Sequence, residues 1–366
     1  MWKSKSLVWI TMFLIVVVSP IFTFFLLEPY VDSENYENRN MESRPVLSLK
    51  NYRTFSEEYE AYYNDNIPFR NSLVRLESLI DFYVFRQSSN ENVDIGKEGW
   101  LFYCNKEDGN PVEQSLGYWK FTDEQLSLIA ENLLTTKTFL DSQGIEFVLF
   151  IAPNKATIYM DKLPDYYQIR EQYTNTDQLV DYLRANTDIR VVYPKESLLK
   201  IRNENSSIVL YHKLDTHWNF AGGYIGAWSL AKELGIEMPL LDQINLSQRL
   251  SSNGDLTNML NISMSDGDID YEISGISPLN TESIKWDFLT EFIYSTPGAD
   301  QRRLFVCRDS YATAMAPSLA TQFENSLWVH NSMFNQQQMI DYNPNIFVYE
   351  TVERYENSLL NFKLGN

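Results

Sequence analysis

The chain has 366 residues, of which 44% are hydrophobic and 14% aromatic, and its formal net charge at pH 7 is −19. A composition this rich in apolar residues excludes intrinsic disorder for most of the chain. The negative charge argues against binding to nucleic acid or to an anionic membrane surface, since both would repel it, and a neutral glycan or an acyl carrier is easier to accommodate.

The N-terminus has the pattern of a membrane anchor. Lys3 and Lys5 precede an uncharged stretch at residues 6–27, close to the roughly 20 residues that cross a bilayer as a helix. Basic residues before the stretch and acidic residues after it favour a cytoplasmic N-terminus and an exported remainder. A cleaved signal peptide would have a shorter apolar core and a small-residue cleavage site, which this stretch lacks. The sequence therefore predicts an uncleaved signal anchor at residues 1–30.

A helical entry follows the anchor. Polar, aperiodic sequence predicts a linker at residues 31–50. Residues 52–85 carry apolar residues at helical spacing, and the interruption around Pro68 predicts two helices joined there. A glycine-flanked turn and an aromatic strand at 95–103 predict a β-hairpin. Residues 51–366 are long enough to form one large domain.

From residue 122 the sequence alternates between helices and apolar strands. The run at 146–152, which is continuously apolar after Glu146, predicts a strand buried on both faces of a parallel sheet. The alternation as a whole predicts a three-layer α/β domain with helices on both faces of the sheet. A segment at 242–300 rich in Ser, Asn, Asp and Gly interrupts it and predicts an insertion near the active-site face. The other predicted elements are helices at 122–142, 176–186, 220–234 and 312–323 and strands at 190–193, 304–307, 326–329 and 346–349.

Three residues predict serine chemistry. Asp215 and His217 lie two residues apart, and Ser310 lies between a predicted strand and a predicted helix. A serine hydroxyl needs an imidazole to take its proton and a carboxylate to orient that imidazole. Residues two apart on an extended segment face the same side, and a serine after a parallel strand lies at the carboxyl edge of the sheet. Free N–H groups at the start of the following helix would supply an oxyanion hole.

Further residues are candidates for the oxyanion hole or for substrate binding. Asn154 and Lys155 directly follow the predicted strand at 146–152, and Arg308 and Tyr311 flank the serine. A plain turn after the strand and a solvated charge at Arg308 are the structural alternatives for these residues.

Other interpretations of the same residues stay open. The Asp-x-His triplet can be an ordinary loop with a satisfied histidine, and Asp309 can be a helix cap. A zinc site is disfavoured because no cluster of Cys or His supplies further ligands, and the sequence predicts no cofactor. Cys104 and Cys307 can form a disulfide outside the cell, but two buried thiols are favoured because Cys307 lies in an apolar run.

Several motifs in one order carry a resemblance to a known family. They are Asp65-Asn66-Ile67-Pro68-Phe69-Arg70, Ile95-Gly96-Lys97-Glu98-Gly99-Trp100-Leu101-Phe102, Pro153-Asn154-Lys155 with Tyr159 and Leu163-Pro164, Asp215-Thr216-His217-Trp218, Asn253-Gly254-Asp255-Leu256, and Arg308-Asp309-Ser310-Tyr311. With these motifs, most of the exported part resembles the SGNH-hydrolase-like proteins of the AlgX/AlgJ alginate O-acetylation family and the related DHHW family. It departs from them at Thr216, where DHHW has a second histidine, and at Arg308, where the SGNH serine block has glycine.

The resemblance implies a flavodoxin-like SGNH-hydrolase fold and a catalytic set of Asp215, His217 and Ser310. It implies an O-acetyltransferase at the bacterial cell membrane, which acts on an exported cell-surface polysaccharide through an acetyl-serine intermediate. A multipass membrane O-acyltransferase is the implied acyl-donor partner. A carbohydrate acetylesterase uses the same machinery, and a non-catalytic glycan-binding scaffold of an acetylation complex keeps the same fold, so both stay open as alternatives. Glycan recognition would fall to the insertion and to surface aromatic residues.

Overall fold

The computed structural model describes residues 2–27, 42–66, 70–252, 254–264 and 267–365. The described chain forms two compact units, one of residues up to 90 together with 258–263 and the other of residues 91–257 and from 264 onwards. Most of the predicted linker, the Pro68 junction and Asn253 lie outside the described residues.

The first unit is helical. Its helices are α1 (Trp2–Leu27), α2 (Phe55–Asp65) and α3 (Arg70–Ile80), and α3 continues into a π-helical turn at Asp81–Phe85. The two helices predicted for residues 52–85 are therefore present. Nowhere in the described residues does a helix combine the length and the apolar character that a membrane span requires. The signal anchor stays a prediction.

The second unit is an α/β domain. Its strands are β1 (Val93–Ile95), β2 (Leu101–Tyr103), β3 (Glu146–Ala152), β4 (Arg190–Val192), β5 (Asn245–Ser251), β6 (Asp268–Ser274), β7 (Glu282–Trp286), β8 (Glu291–Ser295), β9 (Leu304–Arg308), β10 (Asn325–His330) and β11 (Ile346–Val352). Its helices are α4 (Pro111–Ser115), α5 (Asp123–Ser142), α6 (Lys155–Ile158), α7 (Asn175–Asn186), α8 (Lys195–Glu204), α9 (Phe220–Glu233), α10 (Asp255–Met259), α11 (Ala312–Ala320) and α12 (Gln336–Tyr342). Helix α10 extends past Thr257 into the residues of the first unit.

Seven strands form the main sheet, in the order β4-β3-β11-β9-β10-β8-β7. The first five strands are parallel to one another, β8 is antiparallel to β10, and β7 is antiparallel to β8. Because side chains alternate between the two faces of a strand, β3 contributes residues to two hydrophobic cores, one on each face of the sheet. Val148 and Phe150 pack with residues of α8, α9 and α11, whereas Phe147 and Leu149 pack with residues of α5 and α7. The three-layer α/β prediction is confirmed.

The segment 242–300 differs from the predicted insertion. Strands β5 and β6 form a separate hairpin, but β7 and β8 extend the main sheet, with β8 paired to β10. The expectation of a parallel sheet is therefore wrong at this edge. All five residues of β7 are exposed, so the strand lacks the apolar run that identifies a buried strand in a sequence.

Five helices were also absent from the prediction. Three of them, α4, α6 and α10, have at most five residues, too few to show a helical period. Helices α8 and α12 bury only Leu198 and Met339 respectively, so their apolar periodicity is weak. Cys104 and Cys307 are both free and buried, as the favoured interpretation of the sequence predicted.

Candidate active site

The three residues predicted to act together are in contact. His217 Nε2 lies 2.7 Å from Ser310 Oγ, and His217 Nδ1 lies 2.7 Å from Asp215 Oδ1. With its proton on Nδ1 held by the carboxylate, the imidazole presents an unprotonated Nε2 to the serine hydroxyl. All three side chains are half-buried, which leaves the serine reachable from solvent. The arrangement can convert a serine hydroxyl into a nucleophile.

A short loop before α9 positions the acid and the base. Asp215 Oδ1 accepts the backbone N–H of His217 as well as the ring Nδ1–H. A β-bridge between Tyr211 and Trp218 closes the loop at its base. The side-chain oxygen of Asn219 accepts two N–H groups in the first turn of α9, so the loop leads directly into a capped helix.

A second carboxylate supports this loop. Asp255 accepts the backbone N–H of Thr216 at 2.8 Å and its hydroxyl at 2.6 Å, and the N–H of Asp255 donates to Asp215 Oδ2 at 2.9 Å. A Cβ on Gly254 would lie 2.4 Å from Asp215 Cβ and 2.5 Å from Leu214 O, so only glycine fits there. No local sequence pattern predicts this role for Asp255, although the residue belongs to one of the motifs that carry the resemblance.

Lys155, at the start of α6, supports the same loop. Its ammonium donates to the carbonyl oxygens of His212, Lys213 and Asp215 at 3.2, 3.3 and 2.7 Å. The side chain is 4% exposed, and burial lowers its pKa to about 8 even though nearby aspartates favour the charged form. The donors of Lys155, for which an oxyanion or substrate role was predicted, are used here to hold the loop.

Asn154 and Arg308 are also engaged inside the protein. The amide of Asn154 donates to Gln114 Oε1 at 2.9 Å, and the residue is 1% exposed. Arg308 is fully buried and donates to the carbonyl oxygens of Asp309 and Phe288. Burial lowers the pKa of Arg308 to about 10. Neither the substrate-binding prediction nor the solvated-charge alternative for Arg308 agrees with this burial.

The turn that carries the serine is fixed by Asp309. Its Oδ1 accepts the N–H of Tyr311 at 2.8 Å and its Oδ2 accepts the N–H of Val352 at 2.7 Å. The N–H of Asp309 itself donates to Glu350 Oε2 at 2.8 Å. The side chain of Asp309 thus joins the start of α11 to the end of β11 and holds Ser310 between them. The helix-cap interpretation of Asp309 agrees with the first of these contacts.

One backbone group next to the nucleophile is available to an oxyanion. Among the residues that the structure describes, the N–H of Ser310 has no hydrogen-bonded acceptor. The N–H of Tyr311 is taken by Asp309, and the phenol of Tyr311 donates to Thr216 O at 2.7 Å. The polar groups of Tyr311, for which an oxyanion or substrate role was predicted, thus have partners inside the protein.

The electrostatics favour an ionised acid beside a basic imidazole. Burial alone would raise the pKa of Asp215, but its hydrogen bond to His217 and the imidazolium charge lower that pKa well below its usual range. Burial likewise opposes the charge on His217, but the hydrogen bond to Asp215 and the charges of Asp215 and Asp255 raise the pKa of His217. Burial and the charge of Asp215 raise the pKa of Asp255.

Within the described residues, one cluster of side chains has the residue types that can bind a metal ion, and it consists of Asp215, His217 and Asp255. Their ligand atoms lie within 4.8 Å of one another. However, each carboxylate oxygen of the pair already accepts a hydrogen bond from Thr216, His217 or Asp255, and Nδ1 of His217 is held by Asp215. His217 Nε2 faces Ser310, so the imidazole has no free nitrogen for a metal ion, and the cluster fits a hydrogen-bonded network better than a zinc site.

Comparisons of the sequence point to one family. A family model described as the SGNH hydrolase-like domain of the acetyltransferase AlgX matches residues 93–279. The probable alginate O-acetylase AlgJ of Pseudomonas fluorescens is 22% identical over 183 residues, which make up 50% of this chain and 43% of that protein. The matched region therefore spans less than half the length of this curated relative.

Solved structures share the fold. PatB1 of Bacillus cereus superimposes with a TM-score of 0.54 at 16% identity, over 74% of this chain and 99% of that structure. A DHHW family protein from Eubacterium siraeum superimposes with a TM-score of 0.52 at 13% identity, over 74% of this chain and 94% of that structure. At these identities the likeness is one of architecture.

Proposed function

The chain belongs to the family of SGNH hydrolase-like domains of the acetyltransferase AlgX, and from that premise we propose that it is an O-acetyltransferase that modifies a polysaccharide through an acetyl-serine intermediate on Ser310. The observation that carries the proposal is the continuous hydrogen-bonded chain from Asp215 through His217 to Ser310, with both contacts at 2.7 Å. The spacing and order of the groups support general-base activation of the serine.

The first half of the reaction forms the intermediate. Ser310 Oγ attacks the carbonyl carbon of the acetyl donor while its proton passes to His217 Nε2, and Asp215 stabilises the resulting imidazolium. The N–H of Ser310 is the donor available to the developing oxyanion. When the tetrahedral species collapses, the bond to the leaving group breaks, and the leaving group takes the proton from His217. The products are acetyl-Ser310 and the protonated leaving group.

The second half transfers the acetyl group. A sugar hydroxyl loses its proton to His217 Nε2 and attacks the carbonyl carbon of acetyl-Ser310. Collapse of the second tetrahedral species breaks the bond to Ser310 Oγ, which regains a proton from His217. Transfer and hydrolysis differ only in whether a sugar or water reaches the acyl-enzyme, so an acetylesterase is the second candidate function.

The setting of the reaction is part of the proposal. The basic residues before the apolar stretch at 6–27 and the acidic residues after it support an extracytoplasmic domain anchored to the bacterial membrane. An anchored domain would lie within reach of a multipass membrane O-acyltransferase, the partner proposed to supply the acetyl group. A non-catalytic glycan-binding scaffold is disfavoured because a scaffold does not need the base, acid and serine to be in contact.

Hydrolysis of a small acetyl ester by the purified protein tests the serine chemistry. We expect hydrolysis by the parent and a loss of at least about a thousandfold in Ser310→Ala and His217→Ala, because these residues act as one unit. A sulfonyl fluoride should label the parent at Ser310.

A second serine and histidine pair provides the matched control. Ser332 Oγ lies 2.8 Å from His330 Nδ1, but the carboxylates found near His217 do not contact this pair. Ser332→Ala should keep the parental rate of ester hydrolysis. If the parent neither hydrolyses the ester nor reacts at Ser310, the catalytic proposal fails and the scaffold alternative replaces it.

A further inference from the structure

The β7–β8 hairpin brings its turn to the edge of the sheet where Ser310 lies. Strand β9 ends at Arg308, its parallel neighbour β10 ends at His330, and β8 begins at Glu291 opposite Val329. The turn at 287–290 is therefore at the carboxyl edge of the parallel strands. With strands about 4.8 Å apart, β7 lies three spacings, or roughly 14 Å, from β9.

Two hydrogen bonds fix the turn against the strands that flank the serine. The guanidinium of Arg308 donates to Phe288 O at 2.8 Å, and the N–H of His330 donates to Thr290 O at 2.8 Å. Arg308 lies two residues before Ser310 in the chain. The turn is thus held in a defined position relative to the nucleophile, and the buried arginine, whose role the sequence left open, provides one of its anchors.

The hairpin presents aromatic surface at this position. Trp286 and Phe288 are each 46% exposed. One face of the Trp286 indole stacks on Phe292, with ring centroids 4.0 Å apart and an interplanar angle of 11°, so its exposed surface lies away from Phe292. Phe292 belongs to the core on the α9 and α11 face of the sheet, and α9 is the helix that follows His217. The exposed rings therefore share both the edge and the face of the candidate active site.

The charge of the hairpin selects against an anionic ligand. Residues 282–295 contain three acidic residues and one basic residue, Lys285. The ammonium of Lys285 is paired with Glu291 Oε1 at 3.0 Å. A polyuronate or an anionic lipid surface would meet acidic groups with no unpaired lysine in this segment, whereas an uncharged sugar ring can stack on the aromatic faces without a charge penalty.

We propose that the exposed rings of Trp286 and Phe288 on the β7–β8 hairpin bind an uncharged polysaccharide chain and lead one of its sugars to Ser310. The inference rests on the proposed transfer reaction and names its acceptor class. The Phe288 ring centroid lies 5.8 Å from the guanidinium carbon of Arg308, whereas Trp286 is on β7, roughly 14 Å from the serine strand. A single sugar stacked on Trp286 therefore cannot also reach Ser310. Acceptors of several sugar units can contact both Ser310 and the hairpin and therefore bind more tightly, whereas small esters contact the Ser310 site alone.

Affinity gel electrophoresis tests the binding step independently of turnover. The Ser310→Ala protein would be run through gels containing a soluble neutral β-glucan, mannan or galactan, or alginate as the anionic polymer. We expect at least one neutral polymer to retard the protein and alginate to have little effect. Adding Trp286→Ala or Phe288→Ala should weaken retardation about tenfold, the size expected for an aromatic anchor, and Trp286→Phe should restore most of it. Tyr166→Ala, at a ring that is 67% exposed elsewhere on the domain, should bind as the parent does.

Several outcomes would overturn the inference. These are no retardation by any neutral polymer, equal retardation with and without Trp286, or stronger retardation by alginate. Binding to phosphatidylglycerol vesicles that depends on Trp286, without polymer binding, would assign the rings to a membrane instead. Because the binding test uses an inactive protein, a failure here leaves the ester-hydrolysis test of Ser310 unaffected, and a failure of that test leaves the binding result standing.

Discussion

Asp215 is fixed through both of its carboxylate oxygens. One oxygen binds the N–H and the ring of His217, and the other accepts the N–H of Asp255. Lys155 holds the carbonyl of the same residue at 2.7 Å. An imidazole is an effective base only when its orientation and tautomer are set, and here the residue that sets them is itself restrained on both sides.

Asp255→Asn tests the contribution of the second carboxylate. Asparagine keeps an acceptor for the N–H of Thr216 but removes a charge that raises the pKa of His217. The base must be neutral to act, so activity is lost as the pH falls through the pKa of His217. In the variant that pKa is lower, and the acidic limb of kcat/KM for a small ester should move to lower pH by up to about one unit.

The direction of this shift separates the charge effect from general damage to the loop. Asp242→Asn, at an exposed position, should leave the acidic limb unchanged. A slower Asp255→Asn enzyme whose limb stays where it is in the parent would contradict the electrostatic role and leave Asp255 with hydrogen bonding alone.

Two helices set the distance between the base and the nucleophile. His217 lies just before α9 and Ser310 just before α11, so the separation of the helices determines the separation of the two side chains. The helices pack closely at Gly223, where a Cβ would lie 2.5 Å from the backbone carbonyl carbon and oxygen of Ala314. Glycine at this position permits the approach of the two backbones that the contact between His217 and Ser310 needs.

Gly223→Ala should therefore lower kcat strongly while the protein stays folded. Backbone atoms cannot yield to the added methyl group as a flexible side chain would, so α9 and α11 must move apart. We expect kcat for a small ester to fall at least about tenfold, with a loss of about 1–3 kcal/mol in the free energy of unfolding. Lys232→Ala, on the exposed side of α9, is the matched control and should change neither. A parental kcat in Gly223→Ala would show that the helix spacing does not control the site.

At the scale of the whole molecule, three buried glutamates lie in and just after the last strand, β11. Glu350, Glu353 and Glu356 are each at most 1% exposed in a chain that already carries a net charge of −19. Glu353 accepts hydrogen bonds from Asn154 N and Thr157 Oγ1, and Glu356 accepts from Gln114 and Thr176. Burial raises the pKa of all three, assisted by Asp309 at Glu350 and by Glu353 at Glu356.

These raised pKa values predict that the folded state loses stability as the pH rises. Above the usual pKa of a glutamate the unfolded chain has released its proton while the folded chain still holds it, so rising pH favours unfolding. Glu356→Gln removes one such group, and its amide can accept from Gln114 and donate to the Thr176 hydroxyl. Between pH 5 and pH 8 its free energy of unfolding should fall less steeply than the parent's, by up to about 1.4 kcal/mol per pH unit.

Urea unfolding across this pH range measures the difference. Glu131→Gln, on the exposed face of α5, is the matched control and should follow the parent. Parallel stability curves for Glu356→Gln and the parent would mean that Glu356 is ionised in the folded state.

Much of the fold could be predicted from sequence where burial is complete. The run at 146–152 has the same bounds as β3, and its residues from Phe147 onwards are apolar and buried, as a strand covered on both faces requires. Strand β7 and helices α8 and α12 could not be predicted in this way, since β7 buries no residue and each of the two helices buries only one. At the site, the two-residue spacing of Asp215 and His217 was informative because the pair is local in the chain.

The amino-acid sequence by itself determined the layered α/β architecture and identified the three residues that form the hydrogen-bonded chain from carboxylate to serine. It did so because apolar periodicity and residue chemistry can be recognised from residues that are close together in the chain. Only the tertiary structure decided that Lys155 and Asp255 hold the loop that carries His217 and that Arg308 is buried. It also decided that an antiparallel hairpin brings Trp286 to the edge of the sheet where Ser310 lies. Each of those contacts joins residues far apart in the chain, and no local pattern specifies which distant group a side chain will meet.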